Sequence, residues 1–460
     1  MRYAGLGLNF IMNMRFSSYG TACTRPSPVS ELLAQFSNDF RDGVDINLGV
    51  GYVNEDTIPV DRLTAGMKTV AGDPAKYRQA FNYGSPAGSA NLTESLKRFL
   101  IKSRAGNLDE ATLARNRMTI GACGATSILD AISDVLAPGI VITSDPTYYI
   151  YAHALERKGF EVLAVPEDDE GPCLAVLTRK LRELGKAAER ISFVYIVTVN
   201  NPSGTILSNA RRRALYELMA SLSRQQNRLI PIFYDLAYEL LLHDPSVESF
   251  ASVLPSDDLG IAYEIGTLSK ILAPALRIGY LLGPQGPFMN AMVERTSDAG
   301  FSAPLFVQEM ASHFLDHYAA EQLLLVNEAY HKKSIIMRKG IEESLMPFVE
   351  ELRGGSAGFY YYLTFKDIET NSESPFFKFL TRTTGNSIID GSVTDRLPRV
   401  IYIPGEFCVH QRGDLTERGK RQLRISYGFE DAPRILHALD LMRQGVEYAH
   451  SKCCLTARSW

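Results

Sequence analysis

Five short apolar segments in the first two thirds of the chain each end in a polar cluster, and helical patterns separate them. The segments are residues 117–120, 139–143, 191–199, 229–234 and 261–268. Between the first two, apolar residues recur at helical spacing from Ile128 to Leu136. Repeated strand-then-helix units form a mostly parallel sheet with helices on both faces. We therefore predict an α/β fold with one large, mostly parallel sheet.

The polar clusters that follow these segments all fall at the carboxyl ends of predicted strands. They are a Gly-rich turn at 121–126, Asp145-Pro146, Asn200-Asn201-Pro202, Asp235 and Lys270. Open α/β sheets bind their ligands at this edge of the sheet. The coincidence over five strands predicts a catalytic site there.

The sequence pattern changes after about residue 325. A long helical stretch at residues 323–345 leads into a Gly-rich segment and a strand at 359–365, and the polar residues 381–398 predict a loop. We expect a second, smaller α+β domain built from both chain ends. The predicted divisions are an N-terminal arm (1–30), the N-terminal part of the small domain (31–75), the large domain (76–322), the C-terminal part of the small domain (323–450) and a tail (451–460).

Composition limits the classes of protein to which the chain can belong. Of 460 residues, 45% are hydrophobic and 22% are charged, as in ordinary globular proteins of two or three domains. No apolar run reaches the roughly 18 residues that span a bilayer. The net charge of -4 argues against a nucleic-acid partner. The six cysteines show no CxxC spacing, which favours a reducing compartment, and we predict no metal site.

Residues 1–30 leave the compartment open. They contain three arginines, several hydroxyl residues and no acidic residue, which is typical of a mitochondrial presequence. The same segment could belong to the folded protein, with Met12 or Met14 as the true start. We expect a cytoplasmic protein, with the mitochondrion as the alternative.

Residues 267–277 carry the strongest chemical signal. Lys270 ends a largely apolar stretch, Ser269 and Thr267 stand one and three residues before it, and Arg277 follows seven residues later. A free lysine is protonated at pH 7. As an imine with an aldehyde cofactor it becomes an exchangeable electrophile, and the released amine can move protons. The pattern indicates a lysine that holds a carbonyl cofactor and an arginine that binds its phosphate, although Lys270 alone would be interpreted as a surface lysine.

Three other positions allow both a structural and a functional interpretation. Asp235 ends a buried strand and must be paired, so it could face a protonated ring nitrogen or cap a helix. Asn201 lies in a Pro- and Gly-containing turn and could serve that turn alone. Arg424 lies inside an apolar strand and needs an anion, which could be a substrate carboxylate or a structural one.

The Gly-rich turn at 121–126 follows a strand and opens a helix. Backbone N–H groups at such a point form an anion site with the helix dipole. Cys123 is interpreted as a small residue in a tight turn rather than as a nucleophile. The predicted phosphate ligands are Ala122, Cys123, Gly124, Thr267, Ser269 and Arg277.

Together these motifs, from about Arg15 to Tyr448, resemble fold-type I enzymes that use pyridoxal 5'-phosphate (PLP), specifically class I/II aminotransferases. Segments 15–28, 276–281 and 403–407 are most similar to kynurenine/2-aminoadipate aminotransferases. The resemblance implies PLP as the cofactor and a large PLP-binding domain whose sheet is of the seven-stranded type. It also implies Lys270, Asp235 and Tyr238 as the catalytic residues.

The resemblance assigns further roles. Tyr148 would stack on the pyridine ring, and Tyr238 and Asn201 would donate hydrogen bonds to its ring oxygen. Substrate would be bound by Gly51, Asn201 and Arg424, with the arginine holding the α-carboxylate. The full set implied to bind PLP is Tyr83, Ala122, Cys123, Gly124, Tyr148, Asn201, Asp235, Tyr238, Thr267, Ser269, Lys270 and Arg277.

In the family, the tyrosine at the position of Tyr83 reaches the phosphate in the neighbouring subunit, which implies a homodimer. The sequence departs from the family pattern at residues 235–238, which lack the usual Asp-Asp/Glu-Pro-Tyr, and at 49–52, which lack Gly-x-Pro. Segment 381–398 is also longer than usual. These departures remove no cofactor contact, but they fall where the choice of substrate or reaction could change.

Three functions follow from these observations. The first is an aminotransferase that moves an amino group from an L-amino acid to a 2-oxo acid by a ping-pong mechanism, with Lys270 as imine lysine and proton shuttle. The second is another PLP reaction on an amino acid, such as elimination, decarboxylation or oxidation. The third is a ligand sensor fused to a DNA-binding domain. The roughly 45 residues before the first family strand are too few for that domain, and Lys270, Asp235 and Arg424 are retained.

Overall fold

The computed structural model describes residues 15–392 and 396–456. Its strands, in chain order, are β1 Ile46–Asn47, β2 Asn116–Ile120, β3 Ile140–Asp145, β4 Glu161–Asp168, β5 Gly171–Pro172, β6 Ile191–Val197, β7 Ile232–Asp235, β8 Ala262–Thr267, β9 Gly279–Pro284, β10 Val349–Gly354, β11 Tyr360–Phe365, β12 Val400–Ile401, β13 Ile403–Pro404 and β14 Gln422–Ser426. All five predicted strands are present, with ends that shift by up to three residues.

Helices alternate with these strands through the first three quarters of the described chain. In chain order they are α1 Ser18–Cys23, α2 Pro28–Ser37, α3 Val60–Gly72, α4 Ala90–Lys102, α5 Glu110–Arg115, α6 Gly124–Val135, α7 Tyr149–Arg157, α8 Leu174–Leu184, α9 Asn209–Gln226, α10 Pro287–Asp298, α11 Leu305–His317, α12 Ala319–Ser344, α13 Pro375–Thr381, α14 Ser387–Asp390, α15 Thr416–Gly419 and α16 Ala432–Thr456. None of these helices has both the length and the apolar character needed to cross a membrane.

The large sheet has the strand order β2-β9-β8-β7-β6-β3-β4-β5. Strands β8, β7, β6, β3 and β4 run parallel to their neighbours in this order. Strand β9 is antiparallel to both β2 and β8, and the two-residue β5 is antiparallel to β4. The prediction of a mostly parallel α/β sheet flanked by helices is confirmed.

Successive residues of the central strands pack on opposite faces of this sheet. Val141 packs with α6 and α10 on one face, whereas Ile140 and Ile142 pack into the main core on the other. Phe193 and Val194 of β6 likewise pack on opposite faces of the sheet. Because both faces are covered, these strands are apolar at nearly every position, which explains the continuous runs in the sequence.

A smaller antiparallel sheet, with the order β10-β11-β14-β13, follows the large sheet in the chain. Beside it, β1 pairs in parallel with β12, so that Ile46 lies opposite Val400. This pairing joins an early segment of the chain to a late one. The expectation of a smaller domain with its own sheet is confirmed.

Three details of the predicted organisation can be compared with the structure. The proposed division between residues 322 and 323 falls inside helix α12. Segment 381–398 is not wholly a loop, because the Asn386 side chain caps the short helix α14 and Asp390 accepts hydrogen bonds from Thr384 and Gly385. The predicted presequence falls partly on residues 1–14, which lie outside the described residues, as does the end of the predicted tail, residues 457–460.

Candidate active site

The parallel strands end at one edge of the large sheet, beside a cavity of about 330 Å³. Ten predicted site residues line it: Gly51, Tyr148, Asn201, Asp235, Tyr238, Thr267, Ser269, Lys270, Arg277 and Arg424. Four others do not: Tyr83, Ala122, Cys123 and Gly124. Strand ends place most of these side chains, since Asp235 is the last residue of β7 and Thr267 the last of β8.

Lys270 follows β8 and reaches into the middle of the cavity. Its Nζ donates to the carbonyl of Gly51 at 3.2 Å and lies 5.5 Å from the ring centroid of Tyr238. Burial, followed by the positive charges of Arg424 and Arg277, lowers the pKa of this amine to about 8, while Asp235 acts in the opposite direction. A substantial fraction of the amine is therefore neutral near pH 7.5, as proton transfer and condensation with an aldehyde both require.

Asp235 is held by groups on either side of it. The Tyr195 hydroxyl donates to Oδ2 at 2.8 Å, and the Ala237 N–H donates to Oδ1 at 3.0 Å. Burial raises the pKa of the carboxyl to about 6, whereas these two hydrogen bonds and the charge of Lys270 lower it. The sequence interpretation missed Tyr195, because it lies on the neighbouring strand β6 and appears in the sequence as one residue of an apolar run.

Arg424 is buried in β14 and forms no ion pair within residues 15–392 and 396–456. One guanidinium nitrogen donates to Asn201 Oδ1 at 2.6 Å and another donates to the carbonyl of Gly49. Among the described residues, its Nε has no hydrogen-bond partner. A buried guanidinium bonded only to neutral oxygens is poorly compensated, so this position favours a carboxylate ligand.

Tyr238 and Tyr360 join the two sheets across the cavity. Their hydroxyl groups lie 3.0 Å apart, and the Arg424 guanidinium lies 4.4 Å from the Tyr360 ring centroid. A Cβ added at Gly51 would lie 2.6 Å from the Tyr360 hydroxyl oxygen, so a larger residue there would displace the Tyr360 side chain. Tyr360 is a second residue that the sequence interpretation missed, because it is the first residue of β11 and stands in a run of aromatic residues in the sequence.

The hydroxyl groups of Thr267 and Ser269 form one side of the predicted phosphate site. Thr267 Oγ1 donates to the carbonyl of Ile278 at 2.8 Å, and the two hydroxyl oxygens lie 2.9 Å apart. The Ser269 N–H donates to Thr267 Oγ1 at 3.1 Å. This network fixes both hydroxyl groups at the cavity wall, where they can bind an anion.

Arg277 forms the opposite side of the predicted phosphate site. Its backbone has φ of +53°, and its carbonyl accepts from the Gly124 N–H at 2.7 Å. Its side chain donates to the carbonyl of Cys123 at 3.2 Å, and a Cβ added at Gly124 would lie 2.8 Å from the guanidinium. The turn therefore positions the arginine.

The N-terminal amides of α6 complete this side of the cavity through residues that the sequence did not single out. Ala125 and Thr126 line the cavity, whereas Ala122, Cys123 and Gly124 lie beside it. The N-cap residue, Cys123, makes no side-chain cap, and its N–H is bonded to Ser127. The N–H groups of Cys123 and Gly124 are therefore already bonded within the protein, and the residues that line the cavity follow directly after the predicted three.

Aromatic side chains form much of the remaining wall. Tyr148, Tyr149 and Tyr360 line the cavity with Tyr52 at its exposed edge. Burial raises the pKa of Tyr149 to about 12, with Arg424 opposing, so its hydroxyl stays neutral at physiological pH. Tyr83 lies away from this wall, 80% exposed, with its ring 5.7 Å from that of Phe301.

The donor set of the cavity fits PLP. For a phosphate, the cavity offers the hydroxyl groups of Thr267 and Ser269, the guanidinium of Arg277 and the N-terminal amides of α6. The partner for a protonated ring nitrogen is the Asp235 carboxylate, which forms no ion pair with any residue that the structure describes. The partner for the aldehyde is the amine of Lys270. The partner for the carboxylate of the substrate is the Nε of Arg424, which no described residue bonds.

Comparisons with known proteins agree with this chemistry. The family model "Aminotransferase class I and II" matches residues 44–391. Aromatic-amino-acid aminotransferase 1 of Thermococcus litoralis is 28% identical over 302 residues, which are 65% of this chain and 68% of that protein. The mitochondrial kynurenine/alpha-aminoadipate aminotransferase of Bos taurus is 26% identical over 332 residues, 67% of this chain and 73% of that protein.

Among solved structures, the multiple substrate aminotransferase of Thermococcus profundus has a TM-score of 0.79 and 24% identity. The match covers 97% of this chain and 100% of that one, and at this identity it shows the fold alone. The resemblance inferred from the motifs is confirmed by the family model, which spans most of the chain. The protein therefore belongs to the class I and II aminotransferases and is a PLP-dependent aminotransferase.

Proposed function

We propose that the protein moves an amino group from an L-amino acid to a 2-oxo acid by a ping-pong mechanism, with Lys270 as the residue that binds the cofactor and transfers the proton. The observation that carries this proposal is the grouping of Lys270, Asp235 and Arg424 in one cavity. Each of these has an uncompensated or perturbed charge that PLP or an amino acid can satisfy.

PLP supplies an aldehyde that condenses with amines and a ring that withdraws electrons from a substrate carbon. Asp235 would stabilise a protonated ring nitrogen and so keep the ring electron-withdrawing. At an effective dielectric near 20, a carboxylate and a cation about 3 Å apart attract each other by roughly 5 kcal/mol before desolvation. The Tyr195 hydroxyl and the Ala237 N–H keep the carboxylate oriented and ionised.

Lys270 would hold the cofactor aldehyde and, once released, would take the proton from the α-carbon of the substrate at its Nζ and give it up again. Its lowered pKa leaves the released amine able to take up a proton near neutral pH. In the structure the amine is held by the carbonyl of Gly51, so it lies within the cavity and not in solvent. Arg424 and Asn201 bind the α-carboxylate and fix the orientation of the bond that is broken.

We further propose that the preferred donor is an aromatic or bulky apolar L-amino acid. The charged side chains of the cavity lining are Asp235, Lys270, Arg277 and Arg424, and each already has a role. The rest of the lining includes five tyrosines and several aliphatic residues: Val50, Tyr52, Leu129, Tyr148, Tyr149, Ile150, Val197, Tyr238, Pro274 and Tyr360. This wall favours apolar contact, and the Thermococcus litoralis relative bears the name of an aromatic-amino-acid aminotransferase.

The active unit is proposed to be a homodimer. Phe81 is 76% exposed and stacks on Phe306 at 4.9 Å, beside the exposed Tyr83. Exposed aromatic groups of this kind are typical of protein interfaces. Such an interface would allow Tyr83 to reach the phosphate site of a second copy.

The first experiment is a single-turnover half-reaction. The PLP-loaded protein is mixed with one amino acid at a time, without a 2-oxo acid, while the cofactor absorbance is followed. We expect conversion to pyridoxamine phosphate, reversal by a 2-oxo acid, and rates at least about tenfold higher for phenylalanine, tyrosine and kynurenine than for glutamate or lysine.

Lys270→Ala is the control for this measurement and should show no conversion. Release of ammonia, carbon dioxide or peroxide in place of reversible conversion would replace transamination with another PLP reaction. Faster conversion of glutamate than of the aromatic amino acids would overturn the proposed substrate class and leave the proposed reaction standing.

A further inference from the structure

A carboxyl group behind the active site binds the segment that carries Asn201. Glu167 lies near the end of β4, one strand beyond β3 in the sheet. Its Oε1 accepts from Asn200 Nδ2 at 2.7 Å, and its Oε2 accepts from Ser203 Oγ at 2.7 Å. The two donors flank Asn201, so the carboxylate holds the turn from both sides of that residue.

The same turn is tied to a second segment of the active site. Asn200 Nδ2 also donates to the carbonyl of Pro146 at 2.9 Å, two residues before Tyr148. Within the turn, the Asn200 N–H donates to the carbonyl of Thr205 and the Gly204 N–H donates to the carbonyl of Asn200. The Asn200 amide group therefore connects Glu167, the Pro146 segment and the turn.

Stability alone does not account for a carboxyl group at this position. The side chains that hydrogen-bond with Glu167 are all uncharged, and Arg353, whose charge acts on Glu167, is paired with Glu351 at 2.7 Å. Enclosing a carboxylate without a directly bonded cation is costly. Burial accordingly raises the pKa of Glu167 to about 7. A residue that costs stability and binds an active-site segment fits a role in function.

A cavity of about 90 Å³ separates Glu167 from the smaller sheet. Its lining includes Asp145 and Glu351 together with Arg353 and Arg418. Asp145 Oδ2 is buried and has no hydrogen-bond partner among the described residues. On this side of the turn, the two bonds to Glu167 act together with the bond from Asn200 to Pro146 to hold the turn in place.

We propose that Glu167 is a positioning residue, which holds the 200–205 turn so that Asn201 Oδ1 can orient the Arg424 guanidinium for the substrate carboxylate. Asn201 Oδ1 accepts a hydrogen bond from that guanidinium at 2.6 Å. A shift of the turn would therefore rotate the guanidinium, which must form two hydrogen bonds with the substrate carboxylate. This inference rests on the function proposed above, because it takes Arg424 as the carboxylate site.

The test compares Glu167→Ala, Glu167→Gln and the matched control Glu351→Gln. Glu351 lines the same cavity but is bonded to Arg353 and Arg418 and not to the turn. We expect Glu167→Ala to raise the KM for the amino acid by about tenfold or more, with a smaller change in kcat, because two buried hydrogen bonds are lost. Glu167→Gln retains an acceptor for Asn200 and should return the KM to within about threefold of the parent. Glu351→Gln should match the parent.

A second readout does not depend on the cofactor. Hydrogen–deuterium exchange of the PLP-free protein reports the amides of Asn200 and Gly204, which are bonded within the turn. Glu167→Ala should exchange faster in the peptide that spans residues 199–206, whereas Glu167→Gln and Glu351→Gln should exchange like the parent. Parent-like KM together with parent-like exchange in Glu167→Ala would overturn the proposal.

If Glu167→Ala does not fold, Ser203→Ala carries the test, because it removes one of the two donors and leaves the carboxyl group in place. A raised KM and faster exchange in residues 199–206 would support the proposal, and parent values for both would overturn it. A parent protein that shows no half-reaction would defeat the proposed function instead. In that case the exchange measurement still decides whether Glu167 holds the turn.

Discussion

At the scale of single residues, the Tyr195 hydroxyl controls the charge of Asp235. Burial raises the pKa of the Asp235 carboxyl to about 6, and the hydrogen bond from Tyr195 opposes this rise. We predict that Tyr195→Phe raises the pKa of Asp235 further. Because Asp235 acts as a carboxylate, activity is present above this pKa and is lost below it. The acidic limb of the pH–rate profile of the half-reaction should therefore move to higher pH in the variant.

Tyr151→Phe is the matched control for this prediction. The Tyr151 ring contacts that of Tyr195 at 4.7 Å, but its hydroxyl is buried without a hydrogen-bond partner among the described residues. Its removal should leave the acidic limb in place. An unchanged profile in Tyr195→Phe would show that the hydroxyl does not set the charge of Asp235.

At the scale of elements, the start of β9 packs directly against the first turn of α6. A Cβ added at Gly279 would lie 2.3 Å from the Ala125 nitrogen and 2.4 Å from the Gly124 carbonyl carbon. We predict that Gly279→Ala forces the strand and helix apart, costs about 1–3 kcal/mol of unfolding free energy and weakens PLP binding. Thermal unfolding and a PLP titration measure the two effects.

Gly72→Ala provides the comparison for this substitution. Gly72 is the last residue of α3, and nothing lies within 4 Å of an added Cβ. Alanine there should be neutral or slightly stabilising, since it reduces the freedom of the unfolded chain. Equal melting temperatures and PLP affinities for Gly279→Ala and Gly72→Ala would contradict the packing argument.

The elements show which parts of the fold and the site can be predicted from the sequence. Buried parallel strands are apolar at almost every position, so β3, β6, β7 and β8 were visible, and the residues at their ends, such as Asp235, were visible with them. Tyr195, Tyr360 and Glu167 were not, because the role of each depends on which strands lie next to each other in the folded sheets. Gly51 was predicted only through the resemblance to a family, and the carbonyl of Gly49 was not predicted.

At the scale of the whole molecule, the exposed aromatic pair Phe81 and Tyr83 is the basis for the proposed dimer. We predict that Phe81→Asp places a charge in that interface and shifts the protein towards the monomer in sedimentation experiments, with a loss of activity at low protein concentration. Ile388→Asp, at a side chain 85% exposed elsewhere, should change neither property. A parent protein that sediments as a monomer would remove the dimer and the role of Tyr83 together.

The pairing of β1 with β12 has a consequence for how the protein is made. Asp45, beside β1, accepts a hydrogen bond from the Arg399 N–H 354 residues later in the chain, so β1 leaves the ribosome long before its partner is synthesised. At about 5–20 residues per second this delay is roughly 20–70 s. Gly49 and Gly51, which hold Arg424 and Lys270, follow β1 directly. The segment that carries Gly49 and Gly51 must therefore wait for that time without its partner strand, and the site closes only when translation is almost complete.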